Sequence, residues 1–309
     1  MSISTISLAH ERTTSLAHKR TTSLERLGVY LELTKPRIGL LVLVTVVVAG
    51  TVASWGQPEP IALLHAVIGT ALVAASGSAM NQWLERSHDA LMQRTAERPL
   101  PAGTLSSAQV LRFGIVTLVA GLAYLVSWAN WQAAGVALLT WVLYVWAYTP
   151  LKTRTVWNTA VGAVAGASPI GIGWASAGGS WDLRALALFL IVFLWQFPHF
   201  MAIAWIYREQ YKRAGIRMLT VADPSGRRAG LQAISGALAV IPVSFLLAAY
   251  TWPASLPYIV ATILLGSWQL LAALAFFIQR NERSARRLLH VSLIYLPAVL
   301  MLILSIPLL

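Results

Sequence analysis

Nine apolar runs, at about 38–55, 61–83, 107–127, 131–149, 159–177, 183–205, 230–251, 256–278 and 288–308, decide what this chain can become. Each is near the roughly 20 residues an α-helix needs to cross about 30 Å of hydrocarbon, where backbone polar groups must be satisfied within the segment. Only 11% of the residues are charged and 57% are hydrophobic, whereas soluble domains carry about a quarter charged residues. The expected fold is an all-α integral membrane protein, a bundle of about nine transmembrane helices occupying 29–309 behind a disordered basic tail at 1–28. That tail holds a direct repeat, beginning at Ser7 and again at Ser15, and lacks the apolar core of a signal peptide. Pro169, Pro198, Pro242 and Pro297 fall inside runs and predict kinks. The absence of cysteine excludes disulfides, a thiolate nucleophile and a cysteine-ligated metal.

A net charge of +12 raises nucleic acid as a partner, but the placement of the charge answers the question. Of the 23 lysines and arginines, 22 fall in the tail and in alternating connections or beside them, leaving Arg184 alone on the opposite side. The positive-inside rule then puts the N-terminus and those connections in the cytoplasm of a multi-pass inner-membrane protein. Topology accounts for the basic charge, and no nucleic-acid partner is expected. The two longest connections, 84–106 and 206–229, share the basic side, where functional loops are expected.

The first of them opens on Asn81, Glu85 and Asp89, three oxygen-bearing residues at four-residue spacing, followed by Arg94 and Arg98. At about 100° per residue these oxygens form one ridge along a helix. Hard carboxylate ligands suit Mg²⁺ completed by phosphate oxygens, and arginine forks suit the same phosphates. The ridge therefore reads either as a diphosphate–Mg²⁺ site or as an ordinary solvated helix end, and spacing does not choose. Pro99, Pro101 and Gly103 impose a fixed path behind the arginines. Tyr144 and Tyr148 share a helix face and precede Lys152, Arg154 and Asn158; this is a second cationic region or a plain interface belt. Trp195, Gln196 and His199 surround Pro198, and an ionisable group within a span is a site candidate by default. Glu209 is an acid among basic residues, either a further metal ligand or a partner of Arg208 or Lys212.

These stretches, in this order between hydrophobic spans, resemble the UbiA superfamily of membrane prenyltransferases, and within it the haem-farnesylating branch. The matching pieces are Leu33-Thr-Lys-Pro-Arg37; Asn81, Glu85 and Asp89 with Met92-Gln-Arg94-Thr95 and Arg98-Pro-Leu-Pro; Tyr148-Thr-Pro-Leu-Lys152-Thr-Arg154; and Trp195-Gln-Phe-Pro-His199-Phe. They cover residues 30 to 225, with the remaining spans alike in hydropathy only. Gln210 stands where that branch usually has an aspartate, and Arg217 where it has a proline.

The resemblance implies a UbiA-like prenyltransferase fold and transfer of a farnesyl group from farnesyl diphosphate to a vinyl group of protohaem IX. It implies Mg²⁺ held by Asn81, Glu85, Asp89 and Glu209. Arg94, Arg98, Lys152 and Arg154 would hold the diphosphate. Tyr144, Asn158, Trp195 and Gln196 would contact substrate, and Tyr148 and His199 would stand among the catalytic groups. A downstream haem A synthase is the implied protein partner, and the lipid bilayer the medium. The alternatives are a quinone precursor or chlorophyllide as acceptor, or a membrane transporter.

Overall fold

The computed structural model describes residues 23–249 and 255–306. Every regular element among them is helical: α1 Ser23–Leu33, α2 Pro36–Ala53, α3 Pro60–Asp89, α4 Ser107–Trp128, α5 Trp131–Leu151, α6 Asn158–Ala167 and α7 Pro169–Ser176. Then come α8 Leu183–Ile206, α9 Arg208–Arg213, α10 Leu219–Ala222, α11 Arg227–Ala248, α12 Leu256–Gln279 and α13 Glu282–Ser305. Of the tail expected over 1–28, residues 1–22 and their repeat lie outside the described residues, and 23–28 begin α1.

Eight of these helices, α2, α3, α4, α5, α8, α11, α12 and α13, are long and apolar enough to cross a membrane. The apolar run at 159–177 is the pair of shorter helices α6 and α7, broken at Ser168–Pro169, where proline has no N–H to continue the ladder. The break is sheltered: every residue of α7 from Pro169 to Ala175 is buried, and irregular backbone is tolerated at membrane depth only inside protein. Pro198, Pro242 and Pro297 stand within α8, α11 and α13, which continue through them.

Neighbours pack around a closed ring, α2 on α3, α3 on α4, α4 on α5, α5 on α7, α6 on α8, α8 on α11, α11 on α12, α12 on α13, and α13 back on α2. The inner member is α8, which touches α2, α6, α7, α11 and α13. Lipid is as apolar as leucine, so helices associate by close van der Waals fit, and small residues make that possible. A Cβ on Gly121 would lie 2.8 Å from Val73 Cγ2, so α3 and α4 meet backbone to side chain. On Gly173 it would collide with the carbonyl of Val46, which brings α7 against α2. Polar caps sit at the ends: Ser106 and Gln109 box the start of α4, and Asn281 and Ser284 that of α13, each cap worth about 1 kcal/mol. The ends of α3, α5, α8 and α12 and the starts of α2, α4, α6, α11 and α13 form one end of the bundle, the basic end.

Candidate active site

Helix α3 extends six residues past its apolar run, so the whole Asn81–Glu85–Asp89 ridge is helical. It faces inward: Asn81 is 1% exposed, Glu85 8% and Asp89 1%. A solvated helix end would leave those groups in water, so burial excludes that reading of the spacing.

Each member meets a cation or a donor from a different part of the chain. Lys35 Nζ donates to Asn81 Oδ1 at 2.7 Å, and Asn81 Nδ2 donates to Thr149 Oγ1 at 3.0 Å. Lys152 Nζ lies 2.7 Å from Glu85 Oε1, an enclosed ion pair. Arg98 donates to Asp89 Oδ2 at 2.7 Å. Asp89 Oδ1 is buried with no hydrogen-bond partner. An unpartnered buried carboxylate oxygen is costly, so Asp89 Oδ1 has capacity for a further partner.

The chain around the ridge is built to hold those cations. Thr95 Oγ1 donates to the Asp89 carbonyl at 2.8 Å, and Leu105 N–H to Pro99 O at 3.0 Å, which folds the 90–105 connection back on itself. Arg94 lies over the Tyr207 ring at 4.6 Å and donates to the Tyr211 hydroxyl at 3.1 Å, while its backbone N–H donates to Gln210 Oε1 at 3.3 Å. Gln210 thus serves as an anchor for the arginine loop. Lys35 sits in the left-handed region at φ 53° directly before Pro36, a strained conformation for a side-chain-bearing residue that clusters at functional sites. Burial first, then the Arg98 guanidinium, bring its amine down from 10.5 to about 7. Burial also works against the charge on Lys152, but the Glu85 carboxylate outweighs it and holds that amine above its ordinary range.

Tyr144 and Tyr148 do not lie on a regular helix as expected. Residues Leu143–Tyr148 form a π turn in α5, because Thr149 directs both its N–H and its hydroxyl, the latter at 2.8 Å, to the Tyr144 carbonyl five residues back. Such turns gather at functional sites. The two rings stack with centroids 5.8 Å apart, and Lys152 Nζ stands 4.6 Å from the Tyr148 centroid.

Other predicted residues are placed differently. The Asn158 amide donates to the backbone of Thr155 at 2.6 Å and of Arg217 at 2.9 Å, joining the 150–158 and 206–229 connections. Gln196 donates to Ala163 O at 2.9 Å and presses against Gly166, fixing α8 on α6. Trp195 donates to Ser292 O at 2.7 Å, and His199 stacks on it at 4.8 Å. Arg154 is exposed and lines a surface cavity of about 470 Å³ with Thr155, Val156 and Arg217. Glu209 is exposed on α9, 3.7 Å from Arg208. Among the described residues no three His, Cys, Asp or Glu side chains gather into a metal cluster, so the carboxylates at the ridge are Glu85 and Asp89. A larger cavity, about 510 Å³ between α12 and α13, is lined by Leu264, Leu265, Met301 and other residues of which only Ser305 is polar, and holds none of this chemistry. Sequence reasoning passed over Lys35 and Thr149 as site members, although both lie in stretches that carried the resemblance.

The model of the UbiA prenyltransferase family matches residues 42–296, which takes in the ridge, the π turn and α8. The chain belongs to the UbiA prenyltransferase family. Among its relatives, the protoheme IX farnesyltransferase of Solibacter usitatus is 42% identical over 282 residues, covering 87% of this chain and 95% of that one. The protoheme IX farnesyltransferase of Rhodopirellula baltica is 44% identical over 278 residues, covering 88% and 97%. The UbiA fold is shared with a solved digeranylgeranylglyceryl phosphate synthase at 17% identity and a TM-score of 0.71, covering 92% of this chain and 99% of that one. It is shared too with a UbiA homologue from Archaeoglobus fulgidus bound to GPP and Mg²⁺, at 17% identity and a TM-score of 0.61, covering 89% and 99%.

Proposed function

We propose that this UbiA-family enzyme transfers the farnesyl group of farnesyl diphosphate to a vinyl group of protohaem IX. The observation that carries the site is the buried ridge of α3, with Asp89 Oδ1 unpartnered and a cation beside each member. The acceptor is carried by the relatives above, whose shared name specifies it. The ridge fits Mg²⁺: hard oxygens from Asn81, Glu85 and Asp89 would hold the ion, which supplies Lewis-acid stabilisation of the leaving diphosphate. The relative solved with GPP and Mg²⁺ supports that fit through the shared fold. Glu209, exposed and beside Arg208, stands outside this set.

Lys35, Arg94, Arg98 and Lys152 bind the diphosphate. In the ligand-bound enzyme Lys152 and Arg98 exchange their carboxylate partners for phosphate oxygens, and the anion offsets the burial and the Arg98 charge that work against the charged form of Lys35. As the allylic C1–O bond breaks, its electron pair leaves with the diphosphate. Charge grows on oxygens already faced by fixed cations, so the transition state gains more than the ground state. The stacked faces of Tyr144 and Tyr148 shield the allylic cation. The vinyl π electrons form the new C–C bond, and water adds to the resulting cation and loses a proton, leaving a hydroxyethylfarnesyl substituent. The basic end faces the cytoplasm of an inner-membrane protein, and the product suits a downstream haem A synthase.

The test is mass analysis of haems from a host lacking haem O, with and without this chain. A mass gain equal to a farnesyl group plus a hydroxyl group is expected, and no gain overturns the proposal. Asp89→Asn, at equal protein level in membranes, is expected to lower the rate by about 10²-fold; an unchanged rate removes the ridge from the chemistry.

A further inference from the structure

The cavity of about 470 Å³ at the basic end is lined by Arg154, Thr155, Val156, Arg217, Val221 and Ala222. Two connections held backbone to backbone make it. Arg217 N–H donates to the Lys152 carbonyl at 2.7 Å, and the Arg217 carbonyl accepts from Asn158 Nδ2 at 2.9 Å. The Arg217 side chain reaches back the same way, its Nη1 donating to the Arg154 carbonyl at 3.2 Å. That bond uses one of the five N–H donors of a guanidinium. Two exposed arginines therefore share one cavity on a clamped backbone.

No acid of the protein balances them. Among the described residues the ion pairs engage Arg98, Lys152, Arg184, Arg208 and Arg286, and neither Arg154 nor Arg217 is in one. Like charges gathered without an acid repel, and an anion between them reverses the sign. Forked guanidinium donors match phosphate oxygens in particular. Yet the rest of the lining is not what a free phosphate needs, because Val156, Val221 and Ala222 are apolar. The cavity suits a ligand with an anionic head and an apolar continuation.

Its place in the fold says which ligand that is. Residues 152–157 join the end of α5, a spanning helix, to the start of α6, so the turn lies where a span leaves the hydrocarbon. Trp157 in this turn is 72% exposed, and tryptophan gathers at the level of the lipid head groups. Basic pockets between spans at that level take anionic head groups. Arg217 also replaces the proline usual in the haem-farnesylating branch, and proline would bring neither the charge nor the N–H that clamps Lys152. We infer that this cavity binds one anionic phospholipid, its phosphate held by Arg154 and Arg217 and its glycerol end lying on Val156, Val221 and Ala222. Lys152 gives its amine to Glu85 and its carbonyl to Arg217, so the lipid site and the ridge share that residue.

The test titrates the full-length protein in detergent with phosphatidylglycerol and counts bound lipid by native mass spectrometry. One phosphatidylglycerol is expected to bind ahead of all others and ahead of phosphatidylcholine, and inorganic phosphate in excess is expected not to displace it. Arg154→Gln/Arg217→Gln is expected to lower that affinity roughly thirty-fold, the worth of two arginines beside an anionic head group. Arg283→Gln/Arg287→Gln removes the same charge from exposed positions in the first turns of α13 and is expected to keep the lipid. Unchanged affinity in the first variant overturns the inference, as does an equal fall in the second. Two arms need no variant: equal binding of phosphatidylcholine, or displacement of the lipid by inorganic phosphate, overturns it in the unaltered protein, the latter by making the cavity a site for a free anion.

Discussion

Two carboxylates buried side by side on one helix are tolerable only because Lys152 and Arg98 reach them, each at 2.7 Å. The Glu85–Lys152 pair is enclosed on both sides, with side chains 11% and 17% exposed, so solvent screens it weakly. Removing one partner of such a pair leaves an uncompensated charge, at a cost of about 3–5 kcal/mol, while replacing both by neutral groups is near neutral. Lys152→Met should therefore lower the thermal midpoint of the detergent-solubilised protein more than the double variant Glu85→Gln/Lys152→Met, although both should lose prenyl transfer. Equal midpoints would mean that the pair is not electrostatically enclosed. Lys35 teaches a different lesson about residues. It lies 46 positions before the asparagine it touches, and in the sequence it is a lone lysine before a proline. Its motif was visible, but the strained backbone that aims it at Asn81 was not.

At the scale of the element, periodicity made the ridge legible, because a four-residue spacing fixes which side chains share a face whatever that face meets. It did not reveal which way the face points, since that depends on neighbours brought in from α2, α5 and the 90–105 connection. The amides of Asn158 and Gln196 illustrate the same limit: nothing in their spacing shows that both donate to backbone carbonyls of other segments. The π turn of α5 was hidden inside an apolar run whose composition is that of any spanning helix, and only its Thr149-Pro150 end hints at displaced carbonyls. That turn is held from outside by α6, where a Cβ on Gly162 would lie 2.6 Å from Tyr148 Cε2. Gly162→Ala is expected to push the Tyr148 ring out of its stack on Tyr144 and off Lys152. Overpacking of this size costs about 1–3 kcal/mol, and the displaced ring should slow transfer roughly tenfold or more while the protein still assembles. Comparing turnover with thermal midpoint for Gly162→Ala and Gly135→Ala, the latter open around its Cα, checks this; equal turnover in the two would uncouple the turn from catalysis.

At the scale of the molecule, hydropathy made nine apolar runs legible, eight of them single helices long enough to span and the ninth the pair that proline breaks, because length and apolar content do not depend on whether a helix is continuous. The break itself follows from burial, which lets α6 and α7 satisfy their ends inside the protein. Charge placement carries the orientation. The basic end holds the ridge, the arginine loop and the connections rich in lysine and arginine, and Arg184 lies at the opposite end, bonded to Asp182 at 2.7 Å and beside Trp174. If the basic end is cytoplasmic, as the positive-inside rule requires, a diphosphate made in the cytoplasm reaches the ridge without crossing the bilayer. The chain has no cysteine of its own, so a single introduced thiol reports its side without background. In intact cells, Ser180→Cys between α7 and α8 should react with a membrane-impermeant maleimide, whereas Lys212→Cys on α9, exposed at the basic end, should react only after the membrane is opened. The reverse pattern would turn the enzyme over in the bilayer and place the diphosphate site on the side that farnesyl diphosphate does not reach.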